Sequence, residues 1–429
     1  MQALTSSHFP VVIVGGGQAG LSMSYCLKQR SIDSIVFEKH KIAHSWRSKR
    51  WDTFCLVTPN WQCTLPGYHY SGDDPEGFMQ RDEIVSYIES YAHSFRPTLK
   101  EGVTVSKVSK PENLFEIDTS SGHYFANQVV VATGGYHNPK IPRMAERLPD
   151  TVKQIHSSEY KNPESLPAGA VLVVGTGQSG CQIAEDLHLA GKQVHLCVGG
   201  APRSPRVYRG KDVVDWLDQM GYYDMSIDEH PQKETVRHKT NHYVTGRDGG
   251  REIDLRRFAL EGMQLHGRLS QIQGTHLEFK NDLAHNLDQA DAVAESIKRT
   301  IDDYIIKNSI DAPKNSPYSP VWQPPKSQLP LDLEVANITT VIWSTGYHTD
   351  FSWIDVPVFD GKGYPGHERG VTPVPGLYFL GLPWLHTWGS GRFSGVARDA
   401  EYLADRIALK MRGLPGQTRR KFNQVALGS

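Results

Sequence analysis

Two short glycine-rich segments carry residues of the types and spacing that bind nucleotide phosphates. Both have the pattern Gly-x-Gly-x-x-Gly, and they begin 160 residues apart. The residues concerned are Gly15, Gly17, Gln18, Ala19 and Gly20 in the first segment, and Gly175, Gly177, Gln178, Ser179 and Gly180 in the second. In such a loop the first glycine permits a tight turn, the second lets the backbone approach a pyrophosphate, and the third lets helix and strand pack closely. Two of these loops in one chain predict a protein that brings two dinucleotides together and transfers electrons between them.

Each loop joins an apolar strand to a helix. Residues 9–14 predict the strand before the first loop, and residues 171–174 predict the strand before the second. The first loop leads into a predicted helix at Gln18–Gln29 and a strand at Ser34–Glu38. Because the N–H groups at a helix N-terminus are unpaired and carry positive potential, each unit is suited to hold a phosphate.

The two units differ at the position that recognises the ribose. Glu38 stands 18 residues after Gly20, and a carboxylate there accepts hydrogen bonds from the ribose diol of adenosine. The matching position after Gly180 is Val198, and Arg203 and Arg206 follow it. Arginines in place of the acid suit a 2′-phosphate, which a carboxylate repels. We therefore predict FAD on the first loop and NADPH, in preference to NADH, on the second.

The order of elements predicts an α/β fold with two Rossmann-like dinucleotide-binding domains. Three strand-like runs at 103–108, 114–118 and 123–125 predict a small antiparallel meander inserted into the first domain. Strands at 338–344 and 377–381 and a helix at 391–411 are assigned to the same domain, which is therefore discontinuous. The predicted divisions are 1–148 for the first part of the FAD-binding domain, 149–328 for the NADPH-binding domain, and 329–429 for the second part of the FAD-binding domain.

Composition narrows the class of protein. The chain has 429 residues and a formal net charge of −1, so charge gives no reason to expect a nucleic-acid partner. No apolar run approaches the roughly 20 residues that span a bilayer, and no secretory signal is evident at the start, so we expect a cytoplasmic protein. We expect no metal site, and a homo-oligomer is compatible with the sequence.

The cysteines bear on the redox chemistry. There are five, with no C-x-x-C pair, which indicates reduced thiols and argues against a dithiol/disulfide reductase. Cys181 is expected at a helix N-terminus, where a thiol can become acidic, but a small buried residue is the favoured interpretation.

Further motifs make the chain similar to a known family. Ala132-Thr133-Gly134 and Ser344-Thr345-Gly346-Tyr347 each end an apolar strand. Ser45-Trp46-Arg47, Thr58-Pro59-Asn60-Trp61 and Leu65-Pro66-Gly67 stand between the ribose acid and the meander. Together with the two loops, these motifs resemble the group B flavin-dependent monooxygenases, relatives of flavin-containing monooxygenases, over nearly the whole chain. The likeness is strongest to a bacterial subgroup of flavin-dependent oxidoreductases.

The resemblance implies FAD and NADPH as cofactors, with O2 and a small molecule as the substrates. NADPH would reduce the flavin, and a C4a-peroxyflavin would transfer one oxygen atom to N or S of the small molecule. We expect Asn60 to be a hydrogen-bonding catalytic residue near the flavin. We expect His386, in a segment that follows a closing strand, to transfer protons there. Beyond the two loops, Glu38 and the two arginines, the expected cofactor contacts are Lys39, Trp46, Arg47, Thr58, Val105, Ala132, Thr133, Gly134, Thr345 and Gly346.

Two departures from the family pattern leave other functions open. The family's fingerprint keeps its His, Tyr and Lys as His156, Tyr160 and Lys161, but its Phe and Gly positions hold other residues. The active-site Asn of many N- and S-oxygenating members falls on Val57. A non-oxygenating NADPH-dependent reductase and a flavin-binding redox sensor are therefore the alternatives.

Overall fold

The computed structural model describes residues 7–327 and 329–413, so the predicted domain ends at 1–6 and 414–429, and any targeting signal there, lie outside the described residues. Two mainly parallel sheets, each with helices packed on it, form the fold, which confirms the predicted pair of Rossmann-like units. The described α-helices are Gln18–Gln29, His44–Ser48, Arg81–Phe95, Gln178–Leu189, Val213–Gln219, Leu255–Leu260, Leu283–Lys307 and Val396–Arg412.

The first sheet has the strand Ser7–Val14 near its centre. This strand pairs in parallel with Ser34–Glu38 on one side and with Gly122–Val131 on the other. Residues 11–14 are buried in the core, and this explains their unbroken apolar run. In spatial order the strands are Ile354–Asp355, Val105–Ser109, Phe115–Thr119, Gly122–Val131, Ser7–Val14, Ser34–Glu38 and Leu99–Glu101, with Leu377–Phe379 also paired to Gly122–Val131.

The meander is continuous with this sheet. Val105–Ser109, Phe115–Thr119 and Gly122–Val131 pair antiparallel, as predicted. In place of Gly122–Val131, the sequence predicted a short strand at 123–125 and a separate apolar strand ending at Ala132. Gly122–Val131 is instead a single strand of ten residues, whose second half continues beside Ser7–Val14.

The second sheet corrects a predicted domain division. Its five parallel strands are, in spatial order, Lys153–His156, Ile338–Trp343, Ala170–Val174, Val194–Cys197 and Gln264–His266. The strand Ile338–Trp343 was assigned to the first domain, but it lies between two strands of the second. The division placed at 328/329 therefore belongs after Gly346, where the chain crosses back.

Three small sheets complete the second domain and the crossing. Val207–Tyr208 pairs with Lys211–Asp212, and Leu269–Gln273, His276–Phe279 and Leu331–Asp332 form an antiparallel set. The two chain crossings, Asn138–Pro139 and Tyr347–His348, pair with each other, so the domains are joined by a two-stranded link. In the first domain, Thr64–Leu65 pairs with Tyr68–His69.

The last helix begins later than predicted. It runs from Val396 to Arg412 with Gly395 at its N-cap, whereas the sequence indicated a start at 391. Its buried side chains recur at spacings of three and four residues, which gives it one apolar face. This face packs against the helix Gln18–Gln29 that follows the first loop. The segment 389–395, which precedes this helix, is a turn. It lies at the start of helix Gln18–Gln29, where Gln18 donates to the carbonyl of Gly391.

A buried carboxylate links the two domains near this turn. Asp186, on the helix after the second loop, is 2% exposed. It accepts hydrogen bonds from the Thr53 hydroxyl of the first domain and from the Tyr160 hydroxyl and Arg247 guanidinium of the second, each at 2.6 Å. Lys161 donates to the backbone carbonyls of Ser48 and Arg50. The Tyr and Lys of the fingerprint therefore hold the domains together.

Candidate functional site

The first glycine loop is shaped by contacts that exclude any side chain. Gly15 has a φ of 107°, and a Cβ placed there would lie 2.6 Å from the carbonyl oxygen of Ala132. A Cβ on Gly20 would overlap the carbonyl oxygen of Gly15. By contrast, nothing lies within 4 Å of a Cβ on Gly17 or Gly134. The loop thus packs tightly on its strand side and stays open on the side where a pyrophosphate would bind.

The second loop repeats this construction. Gly175 also has a φ of 107°, and a Cβ there would lie 2.7 Å from the carbonyl oxygen of Ser344. A Cβ on Gly180 would overlap Gly175, while a Cβ on Gly177 would meet only Thr240, at 3.8 Å. Ala132 and Ser344 are therefore equivalent strand ends, and both loops fit a dinucleotide.

Glu38 lies where the sequence placed it, at the end of its strand. Its carboxylate accepts hydrogen bonds from the backbone N–H of Gly16 at 2.7 Å and of His40 at 2.9 Å. These bonds fix the acid beside the loop, at the end of the second strand, where the family pattern has its ribose acid. Lys39 is exposed next to it, and Val105 is half-buried at the start of a meander strand.

Thr133 and Thr345, which follow equivalent strands, differ in the hydrogen bonding of their hydroxyl groups. The Thr133 hydroxyl is buried without a hydrogen-bond partner, whereas the Thr345 hydroxyl donates to the carbonyl of Lys140 in the interdomain link. Nothing lies within 4 Å of a Cβ on Gly346, as at Gly134. An unsatisfied buried hydroxyl is costly, so Thr133 is suited to meet a bound cofactor.

Each loop is tied to a distant segment by its glutamine. Gln18 donates to the carbonyl of Gly391 at 3.1 Å and accepts from the Trp46 indole at 3.3 Å. Gln178 donates to the carbonyl of Val244, while Ser179 beside it is exposed. The Trp46 ring stacks on Phe393 at 5.6 Å. The first loop, Trp46 and the turn 389–395 therefore form one wall of the site.

Arg203 does not have the role predicted for it. It is 1% exposed, stacks on the Tyr318 ring at 4.2 Å and lies 3.2 Å from Asp291. Glu252 and Asp254 lie 3.5 and 3.7 Å away. These carboxylates already neutralise the guanidinium, so it offers no charge to a 2′-phosphate.

Arg206 is also paired within the protein, whereas Arg47 is exposed. Arg206 is 3% exposed, pairs with Asp212 at 2.5 Å and donates to the carbonyl of Val57 at 2.8 Å, so it is not free for a cofactor phosphate. Arg47 forms an exposed ion pair with Glu89 at 2.6 Å. Such a pair is weak, and the cofactor contact of Arg47 stays a prediction.

Asn60 is buried and uses both ends of its amide within its own loop. Its Nδ2 donates to the carbonyl of Asp74 at 2.9 Å, and its Oδ1 accepts from the backbone N–H of Met79 at 2.7 Å. The catalytic role predicted for Asn60 is therefore replaced by a structural one. Thr58, two residues earlier, is half-buried.

His386 is half-buried in the segment that closes the site. Its backbone carbonyl accepts from Ile227 at 2.7 Å, and its N–H donates to Ser390 at 3.0 Å. Burial, assisted by Arg369, lowers the pKa of the imidazole below its ordinary value of 6.5, so the ring is neutral at pH 7. A neutral imidazole is able to accept a proton.

The five cysteines are free and buried. Burial raises the pKa of Cys26 and Cys63 to about 12 and that of Cys55 to about 11. The pKa of Cys181 is also raised well above its ordinary value, which agrees with its interpretation as a packing residue. Thiolates are thus disfavoured, and thiol chemistry has no support here.

Arg50 and Arg392 are the site residues that the sequence analysis missed. Arg50 lies over the Trp46 ring at 5.1 Å, and Arg392 lies over the Trp388 ring at 4.0 Å. In the sequence, Arg50 follows the Ser45-Trp46-Arg47 motif and Arg392 follows the segment that contains His386, and this proximity could have identified them. Among residues 7–327 and 329–413 there is no cluster of metal-ligating side chains and no helix able to cross a membrane.

The fold and its paired loops define a two-dinucleotide oxidoreductase. Residues 12–292 match the model of the pyridine nucleotide-disulphide oxidoreductase family. An "Uncharacterized oxidoreductase CzcO-like" of Geobacillus kaustophilus is 35% identical over 92% of this chain and 97% of its own. The chain therefore belongs to the pyridine nucleotide-disulphide oxidoreductase family, in its flavin monooxygenase-like group.

Other relatives and solved structures agree with this assignment. The probable indole-3-pyruvate monooxygenase YUCCA1 of Arabidopsis thaliana is 33% identical over 44% of this chain and 47% of its own. A flavin-containing monooxygenase from Stenotrophomonas maltophilia has the same fold, with a TM-score of 0.64, 16% identity and coverage of 94% and 99% of the two chains. An ornithine N-hydroxylase of Kutzneria sp. 744, solved with reduced FAD and NADP+, has a TM-score of 0.60 and 16% identity, with coverage of 94% of this chain and 99% of its own. The predicted cofactor pair, FAD with NADP(H), is confirmed for the family.

We predict that Gly20→Ala and Gly17→Ala affect the first loop differently. A methyl group at position 20 overlaps the Gly15 carbonyl, so Gly20→Ala should cost about 2 kcal/mol or more of folding free energy and also lose FAD. A methyl group at position 17 meets no protein atom, so Gly17→Ala should keep its stability and lose only FAD affinity. Thermal unfolding of the apoprotein and FAD content per chain check this. Wild-type FAD content in Gly17→Ala contradicts a pyrophosphate over this loop.

We predict that Arg203→Met lowers stability without changing cofactor preference. The substitution removes the cation that faces the half-buried Asp254 and Asp291 and the exposed Glu252, which should cost about 3 kcal/mol. The ratio of kcat/KM for NADPH to that for NADH should stay at the wild-type value. Arg268→Gln, which alters an arginine 56% exposed, is the control for stability. A selective loss of NADPH use at unchanged Tm would restore the 2′-phosphate role.

Proposed function

We propose that the protein is an FAD- and NADPH-dependent monooxygenase that places one atom of O2 on N or S of a small molecule. The observation that carries the proposal is the repeated loop construction. Gly15 with Ala132, and Gly175 with Ser344, leave two matched openings at the carboxyl ends of two parallel sheets. Bound FAD would accept hydride from NADPH and activate O2.

The chain positions the cofactors through its backbone. The loop Gly15–Gly20 would hold the FAD pyrophosphate, Glu38 would hold the ribose, and Thr133 would offer its unpartnered hydroxyl. The second loop would hold the NADPH pyrophosphate.

Aromatic side chains around the turn 389–395 exclude water. Trp46 stacks on Phe393, and Trp388 packs on Tyr223 at 4.8 Å. Trp384 is buried against Ile227 from the second domain. A dry site delays the wasteful release of peroxide. It also makes each electrostatic interaction within the site stronger.

The absence of an accessible thiol among the described residues supports oxygen transfer over disulfide reduction. No cysteine of the described chain is exposed, and each carries a raised pKa. We place the protein in the cytoplasm, with a small organic molecule and O2 as its substrates.

We predict that rapid mixing of NADPH-reduced enzyme with O2 reveals a transient absorbing species before the oxidised flavin spectrum. NADP+ that stays bound would help to exclude water from the site, so the transient should be shorter-lived in enzyme reduced by dithionite without NADP+, which is the control. Stopped-flow absorbance measures both. Direct one-step reoxidation contradicts oxygen transfer and supports a reductase. Failure of NADPH to reduce the flavin supports a redox sensor.

We predict that His386→Ala lowers the yield of oxygenated product by about 10²-fold while flavin reduction by NADPH is unchanged. The wild-type rate should fall as pH decreases through the lowered pKa of His386, below 6.5, because the imidazole becomes protonated and can no longer accept a proton. The variant should lack this fall. A pH series of coupled turnover, with His386→Gln alongside, checks it; a His386→Ala rate equal to wild type ends the proposed role.

A further inference from the structure

Arg50 and Arg392 differ from the other enclosed arginines of the described chain in having no carboxylate partner. Arg203, Arg206 and Arg256 are fully buried, and each contacts at least one carboxylate within 4 Å. Arg50 and Arg392 are half-buried, and no ion pair within residues 7–327 and 329–413 includes either of them. A half-buried guanidinium that the fold leaves without a counterion is able to bind an anion from solvent.

Arg50 is held rigidly at the edge of the cleft. Its guanidinium lies over the rings of Trp46 and Phe54, at 5.1 and 5.4 Å, and donates to the carbonyl of Lys49 at 2.9 Å. Burial lowers the pKa of this guanidinium. The remaining N–H donors have no acceptor among the hydrogen bonds of the described chain.

Arg392 is held in the same way on the turn 389–395. It lies over the Trp388 ring at 4.0 Å, donates to the Trp388 carbonyl and donates to Asn241 Oδ1 at 3.0 Å. Burial lowers its pKa as well. Tyr223 packs on the same Trp388 ring at 4.8 Å, so Arg392 lies among aromatic side chains.

Aromatic contacts bring the two arginines to one site. The Trp46 ring lies under Arg50 and stacks on Phe393, the neighbour of Arg392. The two cations thus lie beside the same wall, which Trp46 and the turn 389–395 form.

We propose that Arg50 and Arg392 bind the carboxylate of the substrate, which is a small acid with an apolar or aromatic body. This inference rests on the proposed function, because it names the substrate class of that site. Guanidinium groups bind carboxylates through paired charge-assisted hydrogen bonds. The rings of Trp46, Phe393 and Trp388 supply the surface on which the apolar body lies.

A cofactor phosphate fits the pair less well. The two pyrophosphates would bind at the glycine loops, so the 2′-phosphate of NADPH is the cofactor group that could compete for this pair of arginines. Arg392 is enclosed by indole and phenol rings and a side-chain amide, and Arg50 by indole and phenyl rings. An aromatic surround with two cations matches a compact organic anion.

The test compares an acid with its neutral amide on the FAD-loaded enzyme. Phenylacetate and phenylacetamide have the same shape and differ in charge, and perturbation of the flavin spectrum reports their binding without turnover. Wild-type enzyme should bind phenylacetate at least about tenfold more tightly than phenylacetamide. Arg50→Gln and Arg392→Gln should each bring this ratio close to one, mainly by weakening the acid. Arg268→Gln, which removes an exposed arginine, should leave the ratio unchanged.

Lysine variants separate loss of charge from loss of structure. Arg50→Lys and Arg392→Lys keep the charge but lose the planar fork, so their ratios should be intermediate. Equal binding of acid and amide by the wild type overturns the proposal. So does an unchanged ratio in the glutamine variants, accompanied by a fall in FAD content or a rise in the KM for NADPH, because the arginines then serve a cofactor. The ratio is measured without oxygen transfer, so it stands even if the stopped-flow experiment shows a reductase.

Discussion

The structure depends on one close contact made twice, between a glycine after a strand and the carbonyl at the end of the neighbouring strand. Gly15 meets Ala132 and Gly175 meets Ser344, with the same φ of 107° and clearances that admit no Cβ. This contact turns the chain sharply enough that the following helix packs on its own strand. It also leaves the other side of each loop, at Gly17 and Gly177, open to a ligand. The cofactor sites are therefore consequences of backbone packing, and side chains only refine them.

The two units diverge in what their side chains do around that contact. Glu38 stays beside the first loop, held by two backbone N–H groups, and presents an acid to a ribose. Thr345 is used in the interdomain link, whereas its counterpart Thr133 keeps a free hydroxyl. Asp186, on the second unit's helix, bonds across to the first domain. In the first unit these side chains remain available to the flavin, whereas in the second unit they also bond the two domains together.

Local features were predictable from the sequence, and long-range pairings were not. The helix Gln18–Gln29 and the strand Ser34–Glu38 were placed correctly because their signals are local apolar periodicity and loop chemistry. The strand Ile338–Trp343 was given to the wrong sheet because an apolar run does not state its partners. Ser344-Thr345-Gly346, which matches Ala132-Thr133-Gly134, held the clue, since equivalent strand ends belong to equivalent sheets. Asn60 was misjudged because its partners in a folded loop lie 14 and 19 residues away.

The arginines show what a sequence can and cannot say about a binding site. Arg203 was chosen because it follows the second unit's ribose position, yet carboxylates about 50 to 90 residues further along the chain converge on it and neutralise it. Arg50 and Arg392 were passed over, although aromatic rings enclose them and no carboxylate does. Proximity to a motif does not decide whether a cation is available to a ligand, because the fold can supply the counterion itself. An arginine inside a fold is free to recognise an anion only where the fold has left its charge unpaired, and this chain does so at Arg50 and Arg392.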